Sequence, residues 1–159
     1  MGKKMIKRLI AGMLTAAVAI PTNFMPVQAA KQTAEDYVIY PTPHKMEYQE
    51  GDYILGKEMN VIYDTGIDEA TKDRLEEAAA LKDIKVKESD EPKKGATNVY
   101  VGVHGEDGKA EDYITKEYAP GDALFENTDS YFLASDENVI SVLGKDTDSA
   151  FYGLTTLYH

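Results

Sequence analysis

Tyr131-Phe-Leu-Ala134-Ser-Asp-Glu-Asn138-Val139-Ile-Ser-Val-Leu143-Gly144-Lys-Asp146-Thr-Asp-Ser-Ala150-Phe151-Tyr-Gly-Leu154-Thr-Thr-Leu157 is the stretch that decides the fold. Two apolar runs flank Ser135–Asn138, a polar connection of hairpin length, and predict paired strands. After Gly144 the period changes. Asp146 or Thr147 is the expected N-cap. Ala150, Phe151, Leu154, Leu157 and Tyr158 then recur on one stripe of a helix. That stripe must pack on the sheet or on something that follows it. The helix runs to the end of the chain without a Gly, Asn or Pro stop signal, which predicts a piece of a longer protein.

Working backwards, Asn98-Val-Tyr-Val-Gly-Val103 is apolar at nearly every position and predicts a strand covered on both faces. Ile84-Lys-Val86 alternates as a short strand. Asp68 to about Lys82 contains no Gly or Pro, and Ala70, Arg74/Leu75, Ala78 and Leu81 recur at helical spacing, so a helix of about four turns is expected. Met59–Tyr63 is a further strand, closed by Asp64-Thr65-Gly66. Residues 104–129 are rich in Gly and acids, with a turn at Pro120-Gly121 and a short helix around Ala110–Glu117. Before Met59, Tyr37–Tyr40 reads as extended ahead of Pro41-Thr42-Pro43. Lys45–Tyr48 and Asp52–Leu55 form a hairpin across Gln49-Glu50-Gly51. The sum is an α/β (α+β) two-layer sandwich: a mixed sheet of about six or seven strands with two main helices on one face.

The N-terminus reads differently. Lys3, Lys4, Lys7 and Arg8 precede an apolar run from Leu9 to Ile20, ended by Pro21. Val27-Gln28-Ala29 places small residues at the −3 and −1 positions. Residues 1–29 are therefore expected to be a secretory signal peptide, too short in its apolar part to span a bilayer of about 20 residues. Residues 30–36 follow as a short linker and 37–159 as the domain. The chain carries a formal net charge of −11, and the leader holds basic residues and no acid, so the remainder is more acidic still. This opposes nucleic acid or anionic membrane as partners by bulk electrostatics. The absence of Cys excludes disulfides, a usage common in bacterial exported proteins.

No residue set amounts to an active site. His44, His104 and His159 match no metal spacing and read as surface histidines. Gly102-Val-His-Gly105-Glu-Asp-Gly108 has the glycines of a phosphate loop but is acidic and lacks the Gly-Lys-Ser/Thr ending, so it reads as turn chemistry. Asp146-Thr147-Asp148 has alternate acids, but Phe151 and Leu157 stand where a calcium loop needs Gly and Glu. Glu76-Glu77 face solvent on a helix, and Asp107, Glu111 and Asp112 are expected in a loop. There is no Gly-x-Ser-x-Gly elbow, and with no Trp a sugar platform would rest on Tyr. Catalytic, cofactor-binding and metal-binding residues are therefore assigned as none, and no cofactor is expected.

Gly144-x-Asp146 followed by Phe151-Tyr152-Gly153-Leu154-x-Thr156-Leu157 resembles the close of the N-terminal domain that precedes the catalytic barrel in bacterial β-N-acetylhexosaminidases. Ile39-Tyr40-Pro41-Thr42-Pro43 with Met46-Glu47-Tyr48 resembles its start. Ser130-Tyr131 through Val139–Asp146 is most similar to the hyaluronidase and O-GlcNAcase-type enzymes of glycoside hydrolase family 84. The resemblance implies a secreted enzyme that removes N-acetylglucosamine from glycans or glycoproteins. Its acid pair would lie in a (β/α)8 barrel of the same chain, and this stretch would be a non-catalytic module, inactive alone. Phe151, Leu154 and Leu157 would be buried against the following domain. The alternatives are a stand-alone secreted module binding a glycan or a protein, or a parent from another hexosaminidase or α-glucuronidase family.

Overall fold

The computed structural model describes residue 39, residues 42–47, residue 53 and residues 55–157. Among them lie five strands, three α-helices and one 3-10 turn. Strand β1 is Glu58–Tyr63, helix α1 Glu69–Ala80, β2 Lys85–Glu88, β3 Thr97–Val103, α2 Lys109–Tyr118, β4 Tyr131–Asp136, β5 Val139–Gly144 and α3 Thr147–Thr156, with the 3-10 turn at Asp122–Glu126 between α2 and β4. The sheet order is β2-β1-β3-β5-β4. β2, β1, β3 and β5 run parallel, and β4 closes the sheet antiparallel to β5.

β3 is central, and all seven of its residues are buried, as its largely apolar run requires. The register Asp136↔Val139 leaves Glu137 and Asn138 as a two-residue hairpin turn. Glu137 takes φ 47° there, the left-handed conformation such turns demand.

The period-2 alternation divides the core in two. Val61, Val99, Val101, Ile140 and Val142 point to one face, where Leu75 and Ala79 of α1 and Ala150 and Leu154 of α3 meet them. Burying a Leu of this kind contributes about 1.5–3 kcal/mol. Gly153 lets α3 lie against Val142 and Tyr131. Ile62, Tyr100 and Leu143 point the other way, to Ala110 and Ile114 of α2 and Phe125 of the 3-10 turn.

The two main helices thus share one face, as expected, and α1 and α3 are tied together by the Thr71 and Thr147 hydroxyls, 3.0 Å apart. The α/β class stands, with one correction. Among the described residues five strands are seen rather than six or seven, because Lys45–Glu47 and Leu55 are not in strands. The remainder of the Lys45–Leu55 hairpin, like most of Tyr37–Tyr40 and the whole of residues 1–29, lies outside the described residues. The short helix expected around Ala110–Glu117 is α2, and it covers the opposite face, so that β3 is covered on both sides.

A further correction concerns α3. Its stripe was expected against a following domain, yet Leu154 is fully buried in the sheet's own core and Leu157 packs on the same cluster. Phe151 is half-buried beside Arg74, whose guanidinium carbon stands 5.4 Å from the ring centre. Tyr152 remains exposed.

The stretch joining β2 to β3 crosses the sheet without a helix, so its backbone polar groups need partners. Buried Asn60 donates through Nδ2 to the Glu91 carbonyl at 2.9 Å. Asn98 Oδ1 accepts from the Lys93 N–H at 2.7 Å, and its Nδ2 donates to the Lys93 carbonyl at 3.1 Å. Two buried amides in strands are explained by that crossing.

Candidate functional site

β1 and β3 are adjacent and parallel, and their chains leave to opposite faces, into α1 and α2. In α/β sheets such a divergence opens a crevice beyond the carboxyl ends of the strands, the usual ligand position. Asp64 follows β1 here, and His104 follows β3, at the head of the glycine-rich loop.

Asp64 is buried. Its Oδ1 accepts the Ala110 N–H at 2.8 Å and its Oδ2 the Glu111 N–H at 3.0 Å. Those are orphan donors of the first turn of α2, whose N-cap, Gly108, has no side chain to serve them. Asp64 is thus a cap supplied from 46 residues away. Gly102 and Gly108 are required beside it, because a Cβ on either would overlap the Asp64 carboxylate. Burial pushes the Asp64 carboxyl above its ordinary range, the two N–H groups oppose this, and the nearby Glu111 and Glu106 add to the rise.

Glu111 fills the loop itself. Its Oε1 accepts the Gly105 N–H at 2.5 Å, and its Oε2 accepts those of Glu106 and Asp107, both at 2.9 Å. Gly105 (φ 85°) and Asp107 (φ 52°) take left-handed backbone, which turns successive N–H groups inward as an anion-binding nest. The sequence reading of this stretch as turn chemistry holds, but it was incomplete. The loop does cradle an anion, and the anion is its own carboxylate. Glu111 and Asp112 begin α2 rather than lying in a loop. His104 also departs from the expected surface histidine. It is half-buried and stacked on Phe125 at 4.2 Å, with Nδ1 3.2 Å from Glu111 Oε1 but without hydrogen-bond geometry. His44 is exposed, as expected, and His159 lies outside the described residues.

Asp146 is the N-cap of α3, accepting from the Ser149 N–H at 2.8 Å and from its hydroxyl at 2.6 Å. The alternate acids serve a helix end. Among the described residues no group of three His, Asp or Glu side chains is placed to hold a metal ion. The two carboxylates of the crevice are already committed to backbone N–H groups and brace α2. Sequence reasoning missed Asp64. The available signal was Gly108 just ahead of a helix, a position that calls for an acceptor from elsewhere.

With that geometry in place, the comparisons with known proteins are decisive. Residues 36–159 match the family model described as glycosyl hydrolase family 20, domain 2. The chain belongs to that family. The match is to a domain of the kind found in glycosyl hydrolases, not to a catalytic domain by its description. Among solved structures it is similar to the GH84 enzyme CpGH84D, with 43% identity and a TM-score of 0.75 over 78% of this chain and 21% of that one. The domain-2 module therefore spans about a fifth of the length of that relative. No curated protein matches it.

Proposed function

We propose that this chain is the N-terminal, non-catalytic module of a secreted bacterial glycoside hydrolase that removes N-acetylglucosamine from glycans or glycoproteins. Its partner in that reading is a catalytic (β/α)8 barrel of the same parent chain, and glycan is met through the parent. The observation that carries the reading is the domain-2 match across residues 36–159 together with 43% identity to a GH84 enzyme of much greater length. The positively charged, then apolar, then small-residue start of the sequence supports export.

The test is to read the coding frame beyond His159 and to assay both products on an aryl N-acetylglucosaminide. A frame that continues into a barrel, with turnover by the longer protein and none by this chain, is expected. A stop codon there, or turnover by this chain alone, overturns the proposal.

A further inference from the structure

Acids outnumber basic residues 28 to 17 in this chain, yet the basic ones are not spread evenly over the fold. At the end of the sheet opposite the filled crevice, and along the β2 edge, stand Lys57, Lys82, Lys85, Lys87, Lys93 and Lys94, all exposed. The strand register brings them together: Lys85 lies beside Glu58, the residue that follows Lys57, and the Lys85 N–H donates to the Lys57 carbonyl at 3.1 Å.

Glu58 is the acid at the centre, and it is already shared. Lys87 Nζ lies 2.6 Å from its Oε2, and Lys93 binds its Oε1. Those two hydrogen bonds hold the Glu58 carboxyl far below its ordinary range, at about 2. Lys57, Lys82, Lys85 and Lys94 have no ion-pair partner among the described residues. Lys72 and Lys109, by contrast, are answered by Glu88 and Glu91.

Two shallow, solvent-open depressions lie at this end. One runs along β2 and is lined by Lys85 and Lys87 with Glu76 of α1, and the other is lined by Lys57, Lys93 and Lys94 with Glu58.

We infer that the exposed lysines of the β2 edge and of the sheet end beside it form a binding surface for an acidic polysaccharide, one bearing carboxylate or sulfate groups. The net negative charge of the whole chain does not prevent this. Exposed charges farther than about 10 Å are screened at about 0.1 M salt, so the local lysines set the potential that a bound segment meets. One feature favours a polysaccharide over nucleic acid: Glu58, Glu76 and Asp83 interrupt the lysines, which a sparsely charged polymer tolerates better than a continuous phosphate backbone. The choice of polysaccharide rests on the proposed glycoside hydrolase function; the lysine surface itself does not.

The experiment is affinity electrophoresis of the full chain at about 0.15 M salt, through gels containing polygalacturonate, chondroitin sulfate, uncharged dextran or duplex DNA. Retardation by one or both acidic polysaccharides is expected, and none by dextran. Retardation by polygalacturonate identifies carboxylate as sufficient, and by chondroitin sulfate alone identifies sulfate. The variant Lys57→Gln/Lys85→Gln/Lys94→Gln should weaken binding about tenfold and flatten its salt dependence. The control Lys116→Gln/Lys145→Gln, on other elements, should leave it unchanged. Absence of retardation by both acidic polysaccharides, equal weakening in the control, or tighter binding of DNA overturns the inference. None of these results bears on the reading frame beyond His159, so the two proposals fail separately.

Discussion

The two ends of the parallel sheet make opposite use of charge. At the carboxyl ends of β1 and β3, Asp64 and Glu111 are buried and together accept five backbone N–H groups. At the β2 edge the lysines are exposed and most lack an acid. The first end is where a ligand would be sought by topology, and it is shut. The second is where topology predicts nothing, and it is open. Position in a fold family identifies where a site can be built; the partners of each polar atom decide whether one has been.

Substitutions can break that contrast. The largest effect is expected for Asp64→Ala, which strands two buried N–H donors at the start of α2; a loss of about 2–3 kcal/mol should appear in urea unfolding. Asp64 also carries a pH signature. Its folded value is raised, so the stability it lends is full below the ordinary value of 3.8 and declines as pH rises through the folded value. Next is Glu111→Gln. An amide offers one acceptor oxygen in place of two, so about 1–2 kcal/mol should be lost, with faster amide exchange at Gly105, Glu106 and Asp107. A loop whose exchange did not change would show that the carboxylate is not its organiser.

Asp146→Ala removes the α3 cap and should cost about 1 kcal/mol at neutral pH. The sign with pH is opposite to that of Asp64. The Ser149 hydroxyl and N–H hold the Asp146 carboxyl below its ordinary range. Its contribution is therefore complete above 3.8 and is lost as pH falls through the lower folded value, so the variant and the wild type should converge in acid. The smallest effect belongs to the open end. Lys57→Gln/Lys85→Gln/Lys94→Gln should change stability by no more than about 0.5 kcal/mol, since these side chains are exposed. A larger loss in thermal melts would mean that they hold the fold, and the contrast between the two ends would collapse.

Much of this architecture was legible in the sequence because the forces that set it are local. The largely apolar run of β3, the hairpin around Ser135–Asn138 and the Asp146 cap each depend on residues a few positions apart. The end of α1 was harder to place. No Gly or Pro marks it, and the chain turns at Asp83 with φ 54°, a conformation an Asp tolerates without advertising it. The brace around α2 was not legible. Asp64 is a turn residue by its neighbours and becomes a helix cap only when β1 and β3 align. His104 likewise needed Phe125, brought over by the 3-10 turn, to become half-buried. The lysines at 82–87 and 93–94 were visible as letters, but only the parallel register gathers them with Lys57.

The Glu111 carboxylate is tethered beside the loop whose N–H groups it occupies, and this fixes how the loop responds to dissolved anions. A ligand joined to its own site by a few residues is present at an effective concentration that a free anion must exceed to compete. Gly105–Asp107 therefore behaves as a receptor supplied with its own permanent inhibitor. A dissolved phosphate or sulfate would have to displace that tethered carboxylate to reach the three N–H groups.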